Sequence, residues 1–310
     1  MPIPTPTTGE EQNEFLQRCI EFVTGEGTDQ EQAYAICISQ WENNKIMDIP
    51  EFKTKKERID FVVQNKDKLI AAKKAQVKHA DGIIAPPTIG TNKSGTEKAA
   101  GDTESELKRR LVINTTNWMD SHEDVHLPGL WSKSLQENKM IMFLQEHKMA
   151  FSNIIADGEE LSAGVQNYKF RDLGFDIDGE TQALVFDATI KRDRNPYMFE
   201  QYKNDRVRNH SVGMQYVKLL LAINDEDYPE HKEVWDKYYP EIANKERADE
   251  VGLFWAVKEA KVIEGSAVPI GSNTITPTLE PGKSTPHPQP SYDTEKMQED
   301  LRGAIKSIFQ

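Results

Sequence analysis

Residues 210–223 read HSVGMQYVKLLLAI, and this stretch decides the fold of the second half of the chain. Its valine, tyrosine, leucine and isoleucine side chains predict a long strand. The most apolar part, VKLLLAI at 217–223, is far shorter than the about 20 residues that a membrane-spanning helix needs. Ser211 stands at the start of this strand, and Gly213 leaves room for a bound backbone to approach.

Around this strand, residues 107–272 alternate short apolar runs with polar turns and a few helical segments. This mixture predicts an α+β domain, a small β-barrel or a sheet wrapped by helices. The acidic and aromatic insert at 224–250 is predicted to be helical. The other predicted strands are RRLVINTTNW (109–118), MIMFLQEH (140–147), two or three strands within 162–190, and LFWAVKEAKVIEGSAVP (253–269).

Residues 1–80 are predicted to form a small helical module. Apolar residues recur at helical spacing on both sides of the break GEGTDQEQ at 25–32. Cys19 and Cys37, the two cysteines of the chain, fall on the facing sides of two helices. We interpret them as reduced, buried thiols, with a local disulfide as the alternative.

Two segments rich in proline, glycine, serine and threonine, 81–106 and 273–291, are predicted to be flexible linkers. The second linker leads to residues 292–310, where apolar residues recur at helical spacing. We expect an amphipathic helix there. Such a helix has no core of its own and is suited to docking on a partner.

The overall charge restricts the class of partner. The chain has 310 residues and a formal net charge of −13, so it gains little from nucleic-acid phosphates. The opening residues MPIPTPTTGEEQ lack the basic and apolar regions of a secretory signal. We expect a cytoplasmic protein, or one packaged within something assembled there, with neither nucleic acid nor membrane as a partner.

The letters His122-Glu123-Asp124-Val125-His126 match the zinc-protease pattern H-E-x-x-H. In that motif a helix places both histidines on one face around the metal. Here Pro128 and Gly129 follow closely, and the local pattern favours an extended segment or loop. We therefore predict no metal or cofactor site.

Three other residues combine the types needed for nucleophilic catalysis. His147 ends a very apolar predicted strand, Ser211 begins the long one, and Glu264 lies near the end of the last one. Each also has a structural interpretation. His147 is compatible with a hydrogen-bonded rim histidine, Ser211 with a strand-end hydroxyl and Glu264 with a surface charge. Spacing alone does not choose between these interpretations.

Four segments, taken together and in order, resemble the tailed-phage prohead (capsid maturation) protease family, distant relatives of herpesvirus assemblin. The resemblance covers residues from about 107 to 276. Asp120, Asp124-Val125 and Pro128-Gly129 carry it in the first segment. The segments are MDSHEDVHLPGLWSKSL (119–135), FLQEHKM (143–149), DRVRNHSVGMQY (205–216) and KVIEGSAVPIGSN (261–273).

The resemblance implies a serine endopeptidase whose domain is a mostly antiparallel β-barrel flanked by helices. Ser211 would be the nucleophile, His147 its general base and Glu264 the orienting acid, with Glu259 and His210 as competitors for the third role. It implies capsid protein and scaffold segments as substrates, inside a procapsid assembling in the host bacterial cytoplasm, with self-cleavage at the linkers and possible self-association. A non-catalytic, protease-like scaffold protein is the alternative.

Overall fold

The computed structural model describes residues 4–7, 10–44, 50, 52–75, 102–138 and 140–279. The chain divides into two compact units, Met1–Ala75 and Gln76–Gln310. The amphipathic helix predicted at 292–310 lies outside the described residues. No helix in the described part of the chain is both long and apolar enough to cross a membrane.

The first unit is helical, as the sequence predicts. Its helices are α1 (Gln12–Gly25), α2 (Gln30–Asn44), α3 (Lys55–Gln64) and α4 (Lys66–Ala75). The apolar faces of α1 and α2 enclose a small core made of Phe15, Leu16, Cys19, Val23, Ala33 and Cys37. The hydroxyl of Thr54 caps α3 by accepting a hydrogen bond from the Glu57 backbone N–H.

Our expectation of reduced thiols in this unit was wrong, because Cys19 and Cys37 form a disulfide. Both side chains are buried where α1 meets α2, and their Cα atoms lie 5.8 Å apart. That separation is within the range that a disulfide bridges without backbone movement. Helical spacing places both cysteines in the core that α1 and α2 share, which is where the disulfide forms.

The second unit combines helices and strands. Its helices are α5 (Ser132–Glu137), α6 (Pro196–Lys203), α7 (Pro229–Tyr238) and α8 (Lys245–Val251), with 3-10 turns at Phe151–Asn153, Gly158–Glu160, Phe170–Leu173 and Tyr239–Glu241. Its strands are β1 (Glu106–Asn114), β2 (Asp124–His126), β3 (Met142–Gln145), β4 (Ile154–Ala156), β5 (Leu161–Lys169), β6 (Glu180–Lys191), β7 (Asn209–Ile223), β8 (Leu253–Val268) and β9 (Thr278–Leu279). The predicted long strand at 210–223 and the helical insert at 224–250 are both confirmed.

The described strands form two sheets rather than a closed barrel. One sheet has the order β5-β6-β1-β9, and the other has the order β2-β8-β3-β4 with β7 on the free edge of β8. Pairing is mostly antiparallel, but β2 and β3 run parallel to β8. The α+β class holds. The antiparallel barrel implied by the resemblance does not form among these strands, because no strand of one sheet pairs with a strand of the other.

The two sheets pack against each other near the C-terminal end of β8. Gly265 has no side chain, and a Cβ built there would lie 2.4 Å from a Phe186 ring carbon of β6 and 3.1 Å from Ile113 of β1. The ring of Phe143 on β3 also contacts Phe186 edge-on. Because successive strand residues alternate in direction, Glu264 and Ser266 point to the opposite face of their sheet.

The predicted domain boundaries at 107 and 272 were both drawn too narrowly. Asp102, within the predicted 81–106 linker, forms a buried ion pair with Arg109 at 2.9 Å. Residues 273–279, within the predicted 273–291 linker, are buried and end in β9, which pairs with β1. Their proline- and threonine-rich composition resembles a linker, but the Asn273 side chain accepts a hydrogen bond from Thr115, just after β1, and the Thr276 hydroxyl donates to the His210 carbonyl of β7.

Candidate active site

Strand β8 lies between β7 and β3 and brings the three predicted residues to one end of the sheet. Ser211 on β7 lies directly opposite Ser266 on β8, and Gly213 lies opposite Glu264. Directly opposed residues share a face, with Cβ atoms about 5 Å apart. These four residues therefore share one face of their sheet, the face that points away from the β5-β6-β1-β9 sheet.

A tight turn after β3 brings His147 onto the same face. Glu146 and His147 have φ values of +53° and +56°, a left-handed conformation that is uncommon for residues other than glycine. The Glu146 N–H continues the ladder by donating to Ala267 O at 3.0 Å. The His147 N–H then donates to Ser266 Oγ at 3.0 Å, which fixes the histidine above β8.

The carboxylate of Glu264 is buried and accepts hydrogen bonds on both oxygens. His147 Nδ1 lies 2.6 Å from Oε1, and Ser266 Oγ donates to Oε2 at 2.7 Å. The side chain of Glu264 is 1% exposed and that of His147 is 10% exposed. A buried carboxylate needs such donors to remain charged. An ionised carboxylate only accepts hydrogen bonds, so Nδ1 is the nitrogen that donates to it, and in that tautomer the lone pair of the ring lies on Nε2.

Gly213 has a different role from the one that we predicted. We expected it to leave room for a bound backbone. A Cβ at this position would lie 1.9 Å from Glu264 Oε1 and 2.8 Å from its carboxyl carbon. The glycine therefore provides the space that the Glu264 carboxylate occupies opposite it.

The two competing third residues lie in other environments. Glu259 on β8 pairs across the ladder with Lys218, and its carboxylate lies 3.6 Å from Lys133 Nζ. His210 is fully buried, with Nε2 2.9 Å from the Tyr202 hydroxyl and Nδ1 2.9 Å from the Thr276 carbonyl oxygen. Both its ring nitrogens are engaged in the core. Among the three candidates for the third role, Glu264 is the one that His147 contacts.

The buried position of His210 makes stability depend on pH. Burial lowers the pKa of His210 from 6.5 to about 4, since the surrounding Tyr202, Phe143 and Thr276 offer no anion. Between pH 6.5 and 4 the unfolded chain binds a proton that the folded chain does not, so stability falls as the pH falls through this window. We expect this histidine to reduce the free energy of unfolding by about 2 kcal/mol from pH 7 to pH 5.

Urea unfolding of the wild type and of His210→Gln at both pH values measures this contribution, because the carboxylates common to both proteins cancel in the comparison. The variant is expected to lose about 2 kcal/mol less than the wild type between pH 7 and pH 5. An equal loss in both proteins would show that His210 is not the titrating group.

The H-E-x-x-H letters lie in a turn followed by β2, not on a helix. His122 is partly exposed and its Nδ1 is 4.0 Å from an oxygen of Asp120, whereas His126 is buried with Nδ1 against the side-chain amide of Asn114. Within the described ranges, no group of three or more His, Cys, Asp or Glu residues is arranged to hold a metal ion. The extended segment or loop predicted for these letters is confirmed, as a turn at 121–123 followed by β2.

The acidic residues of this segment serve the local structure. Asp120 Oδ1 accepts backbone hydrogen bonds from His122 at 2.8 Å and from Asp124 at 3.0 Å. The Tyr216 hydroxyl on β7 donates a hydrogen bond to the buried Asp124 carboxylate. Burial and the nearby carboxylates raise the pKa of Tyr216. These bonds tie the turn and β2 to the long strand.

Ser266 is the residue at this site to which the sequence analysis assigned no role. It occupies the third position of Glu-Gly-Ser at 264–266. In a strand, residues two apart share a face, so this spacing was the available signal. Its significance depended on His147 reaching the same face, which no local pattern indicates.

Comparisons with models of known protein families, with curated proteins and with solved structures found no match. The interpretation of this site therefore rests on its own geometry and on the sequence resemblance.

Proposed function

We propose that this protein is a serine endopeptidase in which Ser211 is the nucleophile, His147 the general base and Glu264 the orienting acid. The observation that carries the proposal is the 2.6 Å hydrogen bond between His147 Nδ1 and the buried Glu264 carboxylate, beside a serine that faces the same end of β8. A histidine oriented by a buried acid is the arrangement that activates a serine hydroxyl.

The chemistry follows from the hydrogen bonds. With its proton on Nδ1, His147 presents the Nε2 lone pair, which accepts the Ser211 proton as Oγ attacks the peptide carbonyl. Glu264 stabilises the imidazolium that forms. His147 then returns the proton to the leaving amine. Water, activated by the same base, hydrolyses the acyl-enzyme and restores Ser211.

The substrate class comes from the sequence resemblance. It points to a prohead protease that cleaves scaffold and capsid-protein segments in an assembling phage head, and that trims its own extended segments. Extended, exposed chain is what a protease site accepts.

Self-processing on expression of the full chain tests the proposal. We expect the wild type to yield shortened products and Ser211→Ala to remain at full length. Ser162→Ala, which removes an exposed hydroxyl on β5, is the matched control and is expected to process as the wild type does. Added wild type should cleave purified Ser211→Ala.

Undiminished processing by Ser211→Ala would refute the proposed nucleophile. A wild type that neither processes itself nor cleaves purified Ser211→Ala added in trans would favour the alternative, a protease-like scaffold protein without catalysis.

A further inference from the structure

Ser266 connects the two partners of the candidate histidine–acid pair. Its hydroxyl donates to Glu264 Oε2 at 2.7 Å and accepts from the His147 backbone N–H at 3.0 Å. The residue is completely buried. One side chain thus bonds to the free oxygen of the acid and to the backbone of the base.

We propose that Ser266 is a positioning residue for catalysis, which holds Glu264 and the His147 turn in the one arrangement that joins them. This inference rests on the proposed function for its catalytic consequence, but the positioning itself is a structural statement that can be measured separately. Ser266 acts through its neighbours and does not touch the substrate.

The first part of this role concerns Glu264. Without the Ser266 donor, Oε2 would be buried with its hydrogen bond lost, and the carboxylate could rotate about its last torsion. A charge-assisted hydrogen bond is about twice as strong as a neutral one. Ser266 therefore fixes the plane of the carboxylate that receives His147 Nδ1.

The second part concerns the turn. Glu146 and His147 both adopt left-handed backbone conformations, which other residues must stabilise. The bond from the His147 N–H to Ser266 Oγ is one such stabilising contact. Loss of this bond permits the turn to relax and the imidazole to leave Glu264.

The role also separates two serines that face each other across β7 and β8. The Ser266 hydroxyl is committed to donating to Glu264 and accepting from His147, and it is inaccessible to a peptide. Ser211 is 6% exposed. The geometry assigns positioning to Ser266 and leaves nucleophilic attack to Ser211.

Ser266→Ala and a matched variant test the catalytic consequence. The probe is a fluorophosphonate, which phosphonylates an activated serine with release of fluoride, and the rate constant for modification of Ser211 is measured. We expect Ser266→Ala to be slowed about tenfold and Ser266→Cys, a weaker donor of similar volume, to fall between it and the wild type.

Ser134→Ala is the matched control. The buried Ser134 hydroxyl, on α5, accepts a hydrogen bond from the Val262 N–H of β8 at 2.8 Å. This bond does not involve His147, and we expect the labelling rate of Ser134→Ala to match that of the wild type. The Ser266→Ala effect should also nearly vanish in a Glu264→Gln background, because the two residues act as a unit. A labelling rate for Ser266→Ala within twofold of the wild type would overturn the inference.

A second measurement keeps the inference testable if the wild type does not react. The downfield proton signal of His147 Nδ1–H, assigned by its loss in His147→Gln, reports the bond to Glu264 by NMR. We expect this signal in the wild type and in Ser134→Ala, and its broadening or loss in Ser266→Ala. An unchanged signal in Ser266→Ala refutes the positioning role, whereas an unreactive Ser211 with the expected NMR change refutes only the proposed function.

Discussion

Glu264→Gln is expected to lower the fluorophosphonate labelling rate of Ser211 by about 10³- to 10⁴-fold, the scale found when the buried acid of a Ser-His-acid triad is neutralised. The amide retains the size of the carboxylate but loses its charge. The N–H of the introduced amide can donate to His147 Nδ1. Nδ1 then accepts this hydrogen bond, and the imidazole proton lies on Nε2 instead. In that tautomer His147 has no lone pair facing the serine.

Glu259→Gln is the control for this substitution, since Glu259 lies on the same strand and pairs with Lys133. We expect its labelling rate to stay within about twofold of the wild type, in keeping with the small effect of most surface substitutions. If Glu259→Gln lowered the labelling rate by the large factor and Glu264→Gln did not, Glu259 would be the orienting acid.

Gly213→Ala is expected to have the second large effect, on both stability and reactivity. The added methyl group would lie 1.9 Å from Glu264 Oε1, and two hydrogen bonds hold this carboxylate in place. Either β7 moves or Glu264 leaves His147. We expect the free energy of unfolding to fall by about 3 kcal/mol and the labelling rate to fall nearly as far as in Glu264→Gln.

Gly164→Ala provides the comparison, because Gly164 also lies within a strand, β5, and a Cβ there meets no atom within 4 Å. It should leave stability and labelling close to the wild-type values. Urea unfolding and the labelling rate measure both effects. Wild-type behaviour of Gly213→Ala in both assays would show that the carboxylate does not occupy the space opposite Gly213.

The spacing of apolar residues predicted the secondary-structure elements that this spacing determines. The apolar run of 210–223 became β7, and the apolar spacing around Cys19 and Cys37 became the α1–α2 pair. Strand residues two apart share a face whatever their partner strand is. This is why the positions of Ser211 and Glu264 near strand ends could be read before any pairing was known.

The rest depended on contacts between distant residues. The left-handed turn is formed by Glu146 and His147, and neither is a glycine or asparagine, the residues that usually indicate such a turn. The local sequence therefore did not predict that His147 lies next to Glu264. The parallel pairing of β3 with β8 joins residues more than one hundred positions apart. Residues 273–279 have the composition of a linker, and they are buried because Thr276 bonds to His210 and β9 extends the sheet at β1.

The most direct test of the central claim is mass spectrometry of the fluorophosphonate-treated full chain. We expect one adduct, on the peptide that contains Ser211, which is absent from Ser211→Ala and formed at least about 10³-fold more slowly in His147→Ala. An adduct on another serine, or labelling of Ser211 at the same rate in His147→Ala as in the wild type, would contradict activation of Ser211 by the His147–Glu264 pair.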